Sequence, residues 1–349
     1  MEPQRNSASG LRSPSCRACL SAPFTTRLLE YDNSCSGASP PPDHTLPSLL
    51  PASYRTKLDD LAAASDDVDA CVANELNLQR LNRVYPWLWI AGRPMPPRPL
   101  HHQLLLSREI VITERMDIHL VWTGGHIYIK PMPRFLLEPH FWYRHLSCRC
   151  SGNGGKHTGD LCAPEKLRKC AIGFLFSFAA LITHESDFFI AKEKHLLPEG
   201  VTWHAWRSFV RELDTEHIYR KIDQRFFYGE LRLSRLNKIY FFMQTPLRSY
   251  MTRWQQYSGF LQHNLAGIGS AIIYITIVLT AMQVGLATNT LRDSNMFQSV
   301  SYGFTIFSIL GPPVALGLLL VVFCYVFLNN WATVVAYKAK RQQHMASAG

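Results

Sequence analysis

The residues best suited to chemistry lie in one Gly-rich stretch that runs from His145 to Cys170. It reads HLSCRCSGNGGKHTGDLCAPEKLRKC. Cysteine sulfur and histidine nitrogen are preferred zinc ligands, and four of them complete a tetrahedral site. The candidate ligands are Cys148, Cys150, His157, Cys162 and Cys170. Their spacing matches no established zinc-finger pattern, so the sequence predicts a flexible loop with incidental cysteines and no cofactor. A zinc site formed by these residues is the alternative.

A second cluster, His184-Glu185-Ser186-Asp187, contains the residue types of a hydrolase triad. Adjacency in sequence does not place a nucleophile, a base and an acid in triad geometry. A helix C-terminus with polar caps is the simpler explanation of the cluster. The chain carries no Gly-x-Ser-x-Gly elbow, no Gly-rich phosphate loop and no His-Glu-x-x-His sequence. We therefore expect a protein that is not an enzyme.

Two long apolar runs near the C-terminus predict a membrane anchor. Residues 265–287 read LAGIGSAIIYITIVLTAMQVGLA without a charge, and residues 304–328 form a second run. At about 1.5 Å of rise per residue, each run is long enough to cross a hydrocarbon core of roughly 30 Å. Pro312 and Pro313 remove two backbone donors from the second run, so a kink is expected there. The lipid bilayer is the predicted partner of both helices.

The charges that flank these runs predict the orientation of the anchor. Arg248 and Arg253 precede the first run, while Lys338, Lys340 and Arg341 follow the second. Cytoplasmic flanks of membrane helices are enriched in Lys and Arg, so both termini are expected in the cytosol. Small residues spaced four apart in the first run permit close helix packing, which makes a homo-oligomer one of the expectations.

The remainder of the chain predicts a mostly helical α+β domain with a small β-hairpin sheet. A helix is expected to begin at Ser65-Asp66-Asp67 and to end before Pro86. Strands are expected at Glu109–Thr113, Ile118–Trp122 and His126–Lys130, with the turn of the hairpin at Gly124-Gly125. The apolar segment Cys170–Thr183 is too short to cross a bilayer and predicts a buried helix, with a re-entrant helix as the alternative. Trp203–Tyr219 and Phe227–Met243 show helical periodicity.

These patterns divide the chain into seven segments. The predicted organisation is a disordered Ser/Pro-rich leader (1–64), a cytosolic α+β domain (65–245) with a Cys-rich loop (145–170), a juxtamembrane helix (246–264), a first transmembrane helix (265–287), a short non-cytosolic loop (288–303), a second transmembrane helix (304–328) and a basic cytosolic tail (329–349). The formal net charge of +10 is scattered along the chain. Scattered charge of this kind suits an anionic membrane surface, and no nucleic acid is expected as a partner.

Several blocks of the sequence resemble a fungal family of uncharacterised membrane proteins. They are HLVWTGGHIYIKPMPRFLLEPHFW, LRKCAIGFLFSFAALITHESDF and FFYGELRLSRLNKIYFF, followed by the two apolar runs. Members of that family often carry the label "subtilisin-like serine protease". A subtilisin needs an Asp block, a His-Gly block and a nucleophile block, and this chain has none of them. The resemblance therefore implies a two-span membrane protein without protease activity.

The layout is also similar to that of the CorA-type metal-ion transporters, which place a large cytosolic domain before two C-terminal spans. Their Gly-Met-Asn signature closes the first span, whereas this chain reads Gln283-Val284-Gly285-Leu286-Ala287-Thr288-Asn289. Two functions remain open at this stage. The first is a membrane-anchored binding or scaffold protein with an unknown protein partner, and the alternative is a CorA-like oligomeric channel or transporter.

Overall fold

A computed structural model describes residues 21–29, 47–56, 59–147, 162–243, 250–251 and 257–348. The chain divides into two compact units, Met1–Met251 and Thr252–Gly349. The structure is mostly helical with small sheets, and two long apolar helices lie near the C-terminus. The predicted combination of helices and a small sheet in the first unit is confirmed at this level of detail.

The described part of the first unit contains two sheets. The strands are β1 (Ser53–Arg55), β2 (Leu61–Ala63), β3 (Glu109–Ile112), β4 (Val121–Thr123), β5 (His126–Ile129) and β6 (Leu231–Arg232). β1 and β2 pair antiparallel, and the other sheet has the order β3-β5-β4-β6. β4 and β5 form the predicted antiparallel hairpin, whose turn includes Gly125 at a φ of 83°, a backbone conformation that favours glycine. β3 and β6 pair in parallel with β5 and β4 respectively.

The predicted strand Ile118–Trp122 is wrong in its first half. Met116–Ile118 forms a 3-10 turn, and Leu120 has a φ of 61°, so extended structure begins only at Val121. The backbone N–H of Leu120 still donates to Tyr128 O at 2.8 Å. The first strand of the hairpin therefore begins at Val121, three residues later than the hydrophobic pattern predicts.

Five short helices occupy the stretch before and after the hairpin. They are α1 (Val68–Glu75), α2 (Gln79–Asn82), α3 (Leu88–Ala91), α4 (Leu100–Leu105) and α5 (Pro139–His145). The Asp67 carboxylate accepts a hydrogen bond from Ala70 N at 2.9 Å and caps α1, as the start signal predicts. The single helix expected from Asp67 to Pro86 is instead interrupted after Glu75. The observed pieces let Leu76, Leu78 and Leu81 all point into the core.

Helix α6 (Ala163–Leu181) is the central helix of the first unit. Phe174, Leu175 and Phe178 have no exposed surface, so the default prediction of a buried helix agrees with the structure. The His119 imidazole stacks on Phe178 with ring centroids 5.9 Å apart and contacts Ser177 Oγ at 2.9 Å. Burial, together with the nearby cations Arg225 and Lys130, lowers the pKa of His119 well below its usual value. The ring is therefore a neutral part of the core.

Among the described residues of the first unit, α6 is followed by α7 (Glu185–Glu193), α8 (Trp203–Glu212) and α9 (Leu233–Met243). α7 is bent from α6 by 114°. The predicted helices Trp203–Tyr219 and Phe227–Met243 are both too long. Gln224–Phe227 is a 3-10 turn. Leu231–Arg232 is strand β6, because its pairing with β4 outweighs the local helical pattern.

Residues 21–29 belong to the predicted disordered leader, yet they are folded onto the first unit. Phe24 and Leu28 are 2% and 1% exposed and lie within the core. The Glu212 carboxylate accepts hydrogen bonds from the backbone and hydroxyl groups of Thr25 and Thr26. This segment is therefore a packed element of the domain. Ser53–Arg55 also belongs to the predicted leader and forms β1, which pairs with β2.

A buried ionic cluster ties distant segments of the first unit together. The Glu230 carboxylate, which is 8% exposed, accepts hydrogen bonds from Arg98, Gln103 and Arg108. Burial alone would raise the pKa of Glu230, but these hydrogen bonds outweigh it and lower the pKa to about 2. The carboxylate is therefore ionised at neutral pH and compensates both guanidinium groups.

The second unit contains α10 (Tyr257–Leu286), α11 (Asn289–Arg292) and α12 (Asn295–Ala348), and α10 and α12 pack against each other. Gly267–Leu286 and Asn295–Tyr325 are each long and apolar enough to cross a membrane. α12 continues as one helix through Pro312 and Pro313, where the kink is predicted. Thr276 and Thr280 donate their hydroxyls to the carbonyls four residues earlier, so these polar groups are satisfied within α10.

Candidate functional site

A histidine–carboxylate centre forms where the first turns of α4 and α7 meet. His101 lies in the first turn of α4, His184 is the N-cap residue of α7, and Asp187 lies three residues after it. The ligand atoms of these three side chains all lie within 4.8 Å of one another. Asp187 has no exposed surface, whereas both imidazoles are exposed at the surface of the domain.

Asp187 organises the centre as a hydrogen-bond acceptor. Its Oδ1 accepts from the His101 backbone N–H and lies 2.8 Å from His101 Nδ1. Its Oδ2 accepts from Thr183 N, Thr183 Oγ1 and His184 N at 3.2, 3.1 and 3.0 Å. Burial alone would raise the pKa of Asp187, but these hydrogen bonds outweigh it and lower the pKa. The carboxylate therefore stays ionised and joins the starts of the two helices.

The geometry does not correspond to a hydrolase triad. In a triad the carboxylate and the nucleophile contact opposite nitrogens of the imidazole. Here the Thr183 hydroxyl and the Asp187 carboxylate both approach His184 Nδ1, at 2.8 and 3.5 Å. Ser186, which the sequence offers as a nucleophile, is exposed on α7. The cluster caps the N-terminus of α7. The capping interpretation made from the sequence is therefore right about the role of these side chains and wrong about the end of the helix.

The same three side chains are the described residues that could hold a metal ion. Two imidazoles and one carboxylate are a ligand set suited to zinc. An ion at this position would have to replace the proton between His101 Nδ1 and Asp187 Oδ1, because the other oxygen already accepts three hydrogen bonds. His101 is not among the sequence-predicted ligands. It lies 86 residues before Asp187, and no local spacing signal connects the two.

The predicted zinc ligands fall into two groups. Cys148, Cys150 and His157 lie outside the described residues. Cys162 is the N-cap residue of α6, and Cys170 lies inside the same helix. Eight residues of helix correspond to a rise of about 12 Å, so these two sulfurs cannot bind one zinc ion through bonds of about 2.3 Å while α6 is intact.

Cys170 is buried in the core of the first unit, where its thiol is hydrogen-bonded. Its Sγ donates to Leu76 O at 3.2 Å, and the residue is 3% exposed. Burial, with a contribution from the charge of Asp223, raises the pKa of the Cys170 thiol well above its usual value. The protonated thiol is the stable form in this fold, whereas a metal ligand has to be a thiolate.

The comparison with known proteins adds a family. The model of the "Family of unknown function (DUF6601)" matches residues 68–312, which is more than half of the chain. The chain belongs to this family. No curated protein and no solved structure matches it significantly. The match covers the folded domain from α1 onward and extends through α10 into α12. It specifies neither an organism nor an activity, so the fungal resemblance stays a prediction.

Proposed function

We propose that this member of the DUF6601 family is an integral membrane protein whose folded domain is a binding or scaffold module on the cytosolic side. The observation that carries the proposal is the exposed apolar surface of the second unit. Its two apolar helices leave large hydrophobic side chains exposed, including Ile273, Ile277 and Leu318 at 63%, 62% and 63%. Continuous apolar surface of this extent is stable in lipid and is unfavourable in water.

The orientation with both termini in the cytosol is supported by the positive charges outside the two helices. Arg248 and Arg253 precede α10, and Lys338 lies near the end of α12, whereas the connection between the helices carries Arg292 next to Asp293. This asymmetry favours a connection on the far side of the membrane.

The binding role is supported by the character of the folded domain. Its buried charged side chains form hydrogen bonds within the fold, as in the Glu230 cluster, and the histidine–carboxylate centre caps a helix. We therefore propose recognition of a partner rather than catalysis as the role of this domain. The alternative, an oligomeric channel of CorA-like layout, is supported by the pairing of α10 with α12.

Topology mapping in cells tests the anchor. A flexible segment that contains a glycosylation acceptor is inserted between Asp293 and Ser294, and the same segment is attached before Met1 or after Gly349 as matched controls. We expect glycosylation of the internal insertion alone and retention of the chain in the membrane after alkaline carbonate washing. Release by carbonate would overturn the anchor, and glycosylation at either terminus would overturn the orientation.

The mass of the full chain in mild detergent distinguishes the two roles. A monomer or dimer is expected for an anchored binding module. A larger closed ring with ion flux in proteoliposomes would replace the proposal by the channel.

A further inference from the structure

The first unit carries an open groove between α3 and α9 that combines aromatic and basic side chains. Trp87 and Ile90 line one wall, and Arg235, Lys238, Phe242 and Met243 line the other. Its volume is about 170 Å³. We refer to these six residues as the aromatic–basic groove. Ile239, which is buried, forms the floor between the walls.

Three hydrophobic side chains of the groove are exposed. Trp87, Phe242 and Met243 are 39%, 72% and 50% exposed, and Phe242 and Met243 are the last two residues of α9. Single exposed hydrophobic residues are normal on protein surfaces, but a contiguous set rimmed by polar groups marks an interaction surface. Trp is also the residue most enriched where proteins meet the headgroup layer of a bilayer.

The charged residues of the groove all carry the same sign. Arg235 and Lys238 are exposed on α9, and none of the described residues that line the groove is acidic. Arg235 Nη1 donates to Ile90 O at 3.0 Å, which holds one cation at the rim beside the hydrophobic wall. Cations beside exposed aromatic groups match an anionic headgroup layer above an apolar interior.

A short stretch of chain joins the domain to α10. Residues 252–256 separate Met251, the last described residue of the domain, from Tyr257, the first residue of α10. Five residues span about 20 Å at most. The domain is therefore tethered to any bilayer that holds α10.

We propose that the aromatic–basic groove docks on the anionic headgroup layer of the same bilayer that holds α10 and α12. This inference rests on the proposed membrane anchor. The tether makes docking an intramolecular step with an effective concentration in the millimolar range, so a weak intrinsic affinity suffices. Each basic residue near an anionic surface contributes about a fivefold change in the docking equilibrium.

Hydroxyl-radical footprinting of the full chain tests the proposal, because it reports the exposure of individual side chains by mass spectrometry. The protein is incorporated into nanodiscs of neutral phosphatidylcholine and into nanodiscs that also contain phosphatidylserine. Trp87, Phe242 and Met243 are the reporters, and Tyr143 and Phe189, which are 54% and 62% exposed, are the references. We expect oxidation of the reporters to fall several-fold in anionic discs, with the references unchanged.

Two variants, each with a matched control, distinguish docking on lipid from coverage of the groove by a second copy or by a segment of the same chain. Lys238→Glu is expected to abolish most of the protection in anionic discs, whereas Arg211→Glu on exposed α8 has no effect. Phe242→Ser is expected to reduce the protection of Met243 and Trp87, whereas Phe189→Ser leaves it unchanged. The substituted side chains are exposed, so the fold is expected to survive each change.

The remaining outcomes all count against docking. Protection that is equal in neutral and anionic discs, or absent from both, overturns it. Protection that rises with protein concentration in detergent indicates a second copy on the groove instead. Protection that is independent of both lipid and concentration indicates a segment of the same chain. Failure of the chain to enter the discs refutes the anchor itself, and docking falls with it.

Discussion

Replacement of Glu230 by Gln removes one negative charge from the centre of the buried ionic cluster and keeps the side-chain shape. The Glu230 carboxylate accepts hydrogen bonds from Arg98 N, Arg98 Nε, Gln103 Nε2 and Arg108 Nη1 at 3.1, 2.9, 2.8 and 2.7 Å. Arg108 is the more vulnerable cation because its side chain is only 9% exposed. In the variant it stays buried without a full counter-charge, and this is the source of the expected loss of stability.

The size of the loss follows from the pKa of Glu230. Its fall from 4.5 to about 2 corresponds to about 3 kcal/mol of preferential stabilisation of the ionised form. Removal of one partner of a buried ion pair costs about 3–5 kcal/mol, which agrees with that figure. For a domain of this size, a loss of about 3 kcal/mol lowers Tm by about 6–12 °C.

The measurement is thermal unfolding of the full chain in mild detergent, followed by tryptophan fluorescence between pH 7 and pH 3. The pKa of Glu230 is lower in the folded state than in the unfolded state. Its stabilising effect is therefore complete above the unfolded pKa of 4.5 and is lost as the pH falls toward 2. The difference in Tm between the wild type and Glu230→Gln should be constant near neutral pH and should shrink below about pH 4.5.

The matched control is Glu193→Gln, which changes a carboxylate that is 71% exposed and pairs with Lys194 at the surface. We expect its Tm to lie within about 1–2 °C of the wild type. The reasoning is refuted if Glu230→Gln behaves like this control at pH 7. It is also refuted if the difference in Tm persists unchanged at pH 3.

Three further predictions concern other parts of the domain. Asp187→Asn should destabilise the domain by about 1–3 kcal/mol at pH 7. Because the folded-state pKa of Asp187 is lowered, that difference should close as the pH falls below about 4, as followed by fluorescence. Gly173→Ala should cost about 1–3 kcal/mol in denaturant unfolding, since its Cβ would lie 2.2 Å from the Phe226 ring, whereas Gly124→Ala meets no atom within 4 Å and should be near neutral. Cys170 should resist alkylation until the domain is unfolded, and modification at the rate of a free thiol under native conditions would contradict its placement in the core.

The parts of the fold that depend on local chemistry could be predicted from the sequence. Asp67 caps α1 because a carboxylate three residues before a helical N–H is a local arrangement. The hairpin turns at the predicted Gly124-Gly125 because Gly125 readily adopts the positive φ that its position in the turn requires. The two apolar helices follow from length and composition alone.

The parts that depend on distant contacts could not be predicted. Leu231–Arg232 becomes a strand only because β4, more than a hundred residues earlier, offers an edge to pair with. Two of the three residues of the histidine–carboxylate centre, His184 and Asp187, could be predicted together because they are close in sequence. His101 could not, because only the packing of α4 against α7 brings it to them. Glu230 lies in the segment Phe227–Met243, whose periodicity predicts a helix, and its partners Arg98 and Arg108 lie more than a hundred residues earlier in the sequence.

The position of β6 in the sheet has a consequence for biosynthesis. β6 is the strand at one edge of the four-stranded sheet, and it is encoded about 25 residues before α10 begins. At translation rates of 5–20 residues per second, α10 starts to be made about one to five seconds after β6. The domain therefore completes its sheet in the same interval in which the ribosome produces the first apolar helix. Delivery of this chain to its membrane must accommodate a domain that is still folding.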